Sequence, residues 1–253
     1  MDTTALATVR LDRSGPVWLV RLDNPPLHLM TLDMLAELAE TFRRAAESDA
    51  RALVLGAADG RAFCAGSDMR EFAGLGEQAA ERKVLVEDRM LRMLARLPFP
   101  TIAAIDQAAL GGGLELALAC DLRVVRQGVR LGLPEVKIGA LAATGSQRLT
   151  KLVGPGRAKQ LLLTGETIDA ATARDWGLAT EVVDGSAWER AVELAELLVS
   201  RSALSLRLAK QLVDEATDLP LNAGLVRASD ALELIFASRE LSEGVTSFLA
   251  KKD

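Results

Sequence analysis

Apolar positions fall into short runs early in the chain and into helical spacing later. Val17 to Leu22 (VWLVRL) reads as a strand, ended by Asn24-Pro25-Pro26. Leu32 to Ala46 carries apolar residues at the three-and-four spacing of an amphipathic helix, with Thr31 or Asp33 as its cap. Arg51 to Leu55 (RALVL) and Thr101 to Ile105 (TIAAI) are short apolar runs that predict buried strands. Between them, Glu77 to Leu97 predicts a longer helix, stopped by Pro98. Gly112 to Ala119 is apolar and helical, and Leu122 to Val125 and Val129 to Leu133 read as strands. Strands interleaved with helices predict an α/β layer architecture.

Beyond Ser146 the pattern changes to helices, broken at Gly154-Pro155-Gly156, Gly165, Gly177 and Gly185, with Glu181 to Val183 as one last strand. From Trp188 onward nearly every residue fits a helix. Its apolar stripe has to be covered by the core or by another subunit.

Composition narrows the classes. Of 253 residues, 49% are hydrophobic and 26% charged, which argues for a globular chain and against disorder. A net charge of -5 gives no overall attraction to nucleic acid, and no Lys/Arg-rich helix supplies a local one. No run of eighteen apolar residues predicts a membrane span, and the N-terminus lacks a signal pattern. Cys64 and Cys120 sit in apolar surroundings and read as buried, reduced thiols of a cytoplasmic protein. With a single histidine, His28, and two cysteines, a Cys/His zinc site is excluded, and no metal ligand set is expected.

Three segments carry candidate chemistry. In the first, Ala62 to Arg70 (AFCAGSDMR), small residues at Ala65-Gly66-Ser67 let a ligand approach backbone amides at the opening of a helical turn. Alone it reads equally as an ordinary strand-to-helix turn. In the second, Leu110-Gly111-Gly112-Gly113-Leu114-Glu115, three glycines precede an apolar helix. Glu115 stands within one turn of the Gly112 amide, and an acid in so apolar a helix needs a partner or a role. The Lys-Ser/Thr pair of a phosphate loop and the spacing of a dinucleotide fingerprint are both missing. In the third, Leu131 to Gly139 (LGLPEVKIG), Pro134 keeps Leu133 extended and Glu135 follows at the strand end. Partial burial there raises a carboxyl towards the range useful for proton transfer, although a solvated turn glutamate is the blander reading.

Taken in this order, the segments resemble the crotonase (enoyl-CoA hydratase/isomerase) superfamily, from Asp23-Asn24-Pro25-Pro26 through the three motifs to Glu243-Gly244-Val245-Thr246-Ser247-Phe248. The twenty-residue step from Glu115 to Glu135, ending in Pro-Glu, is the most specific part of the match. The resemblance implies a spiral of repeated strand-strand-helix turns over residues 1–190 and a helical oligomerisation region over 191–253, forming trimers or hexamers. It implies an enoyl-CoA hydratase that adds water across the 2,3 double bond of a 2-enoyl-CoA. The amides of Ser67 and Gly112 would form the oxyanion hole, and Glu115 and Glu135 would be the catalytic pair. Leu27, Ala65, Ser67, Asp68, Met69, Arg70, Gly112 and Lys251 would line the substrate, with Arg70 and Lys251 near coenzyme A phosphates. No cofactor is implied beyond the coenzyme A of the substrate.

The chain departs from the family at His28-Leu29-Met30-Thr31, at Asp106-Gln107, and at Ala142 to Leu149 (AATGSQRL), one residue shorter than its counterpart and without the usual Pro-Gly. That loop borders the acyl pocket. The remaining readings are an isomerase or a specialised hydratase or decarboxylase of the same superfamily, and, from another class, a non-catalytic acyl-CoA-binding subunit.

Overall fold

The computed structural model describes residues 4–250, with the side chains of the first two left aside; Lys251 lies outside the described residues. Strands β1 (Thr4–Ala5), β2 (Val9–Ser14) and β3 (Val17–Leu22) form an antiparallel meander, turning at Gly15, whose φ is 58°. Helix α1 (Leu32–Ala46) follows. Thr31 caps it by accepting the Met34 amide at 3.2 Å, and Met34, Leu35, Leu38, Phe42 and Ala45 are buried along one stripe. Burial of each large side chain there contributes about 1.5–3 kcal/mol.

Three strand-strand-helix turns come next. The first is β4 (Ala52–Ala57), β5 (Ala62–Cys64), α2 (Met69–Leu75) and α3 (Leu85–Ala95). The second is β6 (Thr101–Ile105), β7 (Ala108–Leu110) and α4 (Gly112–Leu118). The third is β8 (Leu122–Arg126), β9 (Arg130–Gly132) and α5 (Ala143–Thr164). In each turn the first strand joins a large sheet and the second joins a small one. Strand β10 (Thr167–Asp169), helix α6 (Ala170–Asp175) and strand β11 (Glu181–Val183) complete both sheets. Their orders are β1-β2-β3-β4-β6-β8-β11 and β10-β9-β7-β5, and the chain is the spiral expected.

The large sheet is apolar on both faces because both are covered. Alternate residues divide cleanly. Leu53, Leu55, Ala103, Ile105 and Val125 enter the main core, while Ala52, Val54, Ile102, Ala104 and Val124 meet Ala187, Ala191 and Ala195 of α7 (Ala187–Val199) on the other side. Small residues on α7 let it lie close to the sheet, and α7 runs across position 190. Asp106 starts it, accepting the amides of Ala187 at 2.8 Å and Trp188 at 3.0 Å. Both thiols are buried and unpaired, and burial pushes each up to about 12.

The long helix expected over Glu77 to Leu97 is divided. A 3₁₀ turn (Gly76–Gln78) and a π-helical turn (Ala80–Val84) precede α3. The wider turn carries Lys83 inward, where its fully buried ammonium donates to the Met30 carbonyl at 2.9 Å and pairs with Glu71. Glu71 in turn accepts the Leu32 amide at 3.0 Å. An unpaired buried ammonium would be costly, and these acceptors outweigh regular helix geometry. The break at Gly154-Pro155 is a kink within α5, where Gly154 has φ 78°. The chain ends in α8 (Ala203–Ala216), α9 (Leu221–Phe236) and α10 (Arg239–Ala250). Among the described residues no helix is long and apolar enough to cross a membrane.

Replacing Asp106 with Ala removes both acceptors at the start of α7. The expected cost is about 1 kcal/mol, seen in thermal unfolding as a fall of roughly 2–4 °C at fixed protein concentration.

Candidate active site

The site forms where the small sheet delivers its strand ends to helix starts. β5 pairs with β7, and just beyond β5 Ser67 forms a parallel bridge with Met30. The Met30 amide donates to the Gly66 carbonyl at 3.0 Å, and the Asp68 amide donates to the Met30 carbonyl at 3.1 Å. Backbone groups alternate along extended chain, so the Ser67 N–H between them points away from Met30, towards the β7 edge. There β7 runs into Gly111, whose φ of 55° favours glycine, and then into α4. Gly112 holds the first helical position, where an amide has no acceptor within its own helix. The two segments lie backbone to backbone: a Cβ at Gly66 would stand 3.5 Å from the Gly112 nitrogen, and one at Gly113 would collide with the Cys64 carbonyl. The Ser67 and Gly112 amides therefore border one space, at a helix start that favours negative charge.

Glu115 lies one turn along α4 and is 7% exposed. Its Oε1 accepts the Gly145 amide at 2.5 Å and the Thr144 hydroxyl at 2.9 Å. Both donors come from the shortened loop at the start of α5. A Cβ at Gly145 would press on the Glu115 Cγ and Oε1 at 2.9 Å, so glycine is required for the carboxylate to be held this way.

Glu135 begins a 3₁₀ turn (Glu135–Ile138) just beyond β9 and Pro134. The Gly111 amide, donating to the Gly132 carbonyl at 2.9 Å, ties that strand end to the glycine turn. A Cβ at Gly111 would stand 3.0 Å from Glu135 Oε1. Glu135 Oε2 is buried without a hydrogen-bond partner among the described residues. Burial, with a smaller contribution from the Glu115 charge, pushes the Glu135 carboxyl up to about 7. A buried, unpartnered carboxyl oxygen with an elevated pKa suits a group that exchanges protons.

A third carboxyl, from Glu87 on α3, sits beside them and is 6% exposed. Ser67 Oγ donates to its Oε2 at 2.9 Å, and its Oε1 lies 2.7 Å from where a Gly112 Cβ would be. Burial first, then the Glu115 charge, pushes it up to about 7. Glu87 is absent from the sequence-based candidates because, in a helix read from Glu77 to Leu97, Glu87-Asp88 looks like part of a solvated charged face. The signal was its register: Glu87 shares the stripe of Met90, Leu91 and Leu94, all buried.

The remaining candidates are arranged around the first segment. The Leu27 carbonyl accepts the Ala65 amide at 3.0 Å, so these two flank the loop together. Asp68 caps α2 by accepting the Arg70 amide at 2.8 Å, while Met69 and Arg70 are exposed at the rim. His28 is fully buried, its Nδ1 accepting the Asn24 amide at 3.0 Å, and it packs against Gly60 away from the carboxyls.

A profile of the enoyl-CoA hydratase/isomerase family matches residues 12–253. The chain is 39% identical over 207 residues to an enoyl-CoA isomerase/hydratase of Mycosarcoma maydis, covering 80% of this chain and 74% of that one. It is 32% identical over 251 residues to a short-chain-enoyl-CoA hydratase of Clostridium acetobutylicum, covering 98% and 96%. A crystal structure of an enoyl-CoA hydratase from Bacillus anthracis superposes with a TM-score of 0.93 at 34% identity, covering 96% of each chain. The chain belongs to the enoyl-CoA hydratase/isomerase family.

Proposed function

We infer that the protein is an enoyl-CoA hydratase in which the Ser67 and Gly112 amides bind the thioester oxygen and Glu115 and Glu135 divide the proton transfers. The observation that carries this is the contrast between the two carboxyls. Glu115 is fixed by the Thr144 hydroxyl and the Gly145 amide, whereas Glu135 Oε2 is buried with no hydrogen-bond partner among the described residues. Glu115, oriented and acceptor-only when ionised, takes a proton from water as the water oxygen bonds to the β-carbon. The electron pair of the double bond moves to the thioester, whose oxygen gains charge between the two amides. Each such donor is worth about 3 kcal/mol when aimed at the developing charge. Glu135, protonated, gives its proton to the α-carbon and completes the 3-hydroxyacyl product. An isomerase needs one shuttling base, so a second carboxylate held by two donors favours hydration. The altered loop fits this reading, since it is the loop that holds Glu115.

Coenzyme A is read as lying along Leu27, Ala65 and Asp68 to Arg70, with Lys251 as a further phosphate contact. A homo-trimer, or a hexamer of two trimers, belongs to the same reading. Its support is the apolar surface of the last helices: Leu221, Leu225, Val226 and Leu232 are more than half exposed, and Phe236 is 75% exposed. Patches of that kind mark association surfaces. A cytoplasmic location accords with the two unpaired thiols.

Crotonyl-CoA is expected to lose its enoyl absorbance when the protein is added. Glu115→Gln and Glu135→Gln should each lower kcat by about 10²–10⁴-fold, with the assembly unchanged in light scattering. A wild-type rate in either variant would overturn the assignment.

The two directions should share one pH dependence, because the reaction consumes no net proton and its equilibrium constant does not change with pH. Hydration needs Glu135 protonated, so its kcat/KM should fall as pH rises through about 7. Dehydration of 3-hydroxybutyryl-CoA starts from a form with the same number of bound protons, Glu115 protonated and Glu135 ionised, so its kcat/KM should fall over the same range. Initial rates in both directions across that range provide the check.

A further inference from the structure

Glu87 has no part in the chemistry described above, yet its carboxyl lies against both residues whose amides are paired. It touches both halves of the oxyanion hole: Ser67 Oγ donates to Oε2 at 2.9 Å, and Oε1 packs against the Gly112 backbone on the side where a Cβ would stand 2.7 Å away. Met30 Cε closes the same small space, which explains why Gly112 has no room for a side chain. An anion in this position would oppose the charge that the two amides are there to hold. A neutral carboxyl keeps the acceptor oxygen that Ser67 needs and carries no charge.

We propose that Glu87 is a positioning residue of the oxyanion hole that works only in its uncharged form, fixing Ser67 through its hydroxyl while leaving no anion beside the developing enolate. This rests on the reading of Ser67 and Gly112 as that hole. The surroundings of Glu87 favour the neutral state. Glu115 on α4 and Glu135 beyond β9 both face it as like charges, and Cys64 on β5 is a buried neutral thiol. Lys83, on the π-helical turn before α3, is the opposing cation, but its ammonium is engaged by Glu71 of α2 and by the Met30 carbonyl. Burial is the largest influence and raises the Glu87 carboxyl to about 7, so it is uncharged below that pH and charged above it. Polarisation of a bound thioester should then weaken as pH rises.

The test uses butyryl-CoA with an isotope-labelled thioester carbonyl, a saturated ligand that cannot be hydrated, bound to the intact protein. Isotope-edited infrared spectroscopy reads the carbonyl stretch, which moves to lower frequency as the hole polarises it. In the wild type the downshift should be largest at about pH 6 and decline towards about pH 8, a unit either side of the titration. Glu135 also titrates near pH 7 beside the hole, so the comparison is made in a Glu135→Gln background. That protein should still show the decline, its midpoint moved to lower pH by loss of a like charge, whereas adding Glu87→Gln should keep the full downshift across the range. Ser67→Ala keeps the amide but removes a hydrogen bond that favours ionised Glu87, so the midpoint should move to higher pH. A downshift that is constant with pH in the Glu135→Gln protein, or one that declines equally when Glu87→Gln is added, would overturn the proposal. Absence of any downshift in every form would remove the oxyanion-hole reading itself, and this one with it.

Discussion

Everything in the site depends on one backbone contact, the approach of Gly113 to the Cys64 carbonyl and of Gly66 to Gly111 and Gly112. It joins the end of β5 to the start of α4 with no side chain between them. A residue with a Cβ at Gly113 would hold the two segments apart, and the Ser67 and Gly112 amides would no longer border one space. Buried on every side, this junction has few ways to relax, so it is rigid before any ligand arrives. Rigidity is what an oxyanion hole requires, because donors already aimed at the developing charge need no reorganisation.

The spiral places the other groups around that contact. Each turn contributes one strand to the small sheet, and the proposed site residues follow those strands: Ser67 the first, Gly112 and Glu115 the second, Glu135 the third. The Gly111-to-Gly132 hydrogen bond couples the second and third turns, as the Met30 bridge couples the first to the chain before α1. The shortened segment, whose Thr144 and Gly145 form the first turn of α5, still supplies two donors to Glu115, so its departure from the family pattern leaves this carboxylate well held.

Much of this was legible in the sequence. The apolar runs of β3, β4 and β6 are long enough to show as strands, and α1 shows both its stripe and its cap at Thr31. The glycines before Glu115 and the proline before Glu135 marked the site because few other chemistries need those residue types there. Strands β5, β7 and β10 have three residues each, too few for a period to appear, and they exist because neighbouring strands supply their ladder bonds. The division of the Glu77 to Leu97 helix was hidden because a π-helical turn alters hydrogen bonding and leaves composition untouched. Asp106 looked like a mere departure from a family motif, yet it accepts two first-turn amides of α7, some eighty residues along the chain, beside the Ser186 cap.

The π-helical turn from Ala80 to Val84 also constrains how this chain can vary in length. Such a turn holds one more residue than an α-helical turn in the same span. Removing one residue there would restore ordinary α-helical winding and leave the faces on either side in register. Lys83 and Glu87, four apart, share a face in an ordinary helix too, so the tie to Met30 and the carboxyl beside Ser67 could both survive. A second deletion would find no widened turn to absorb it and would rotate the flanking faces by about 100° relative to each other. Homologues that keep both an inward lysine and an inward glutamate here are therefore expected to differ in length by no more than this one residue.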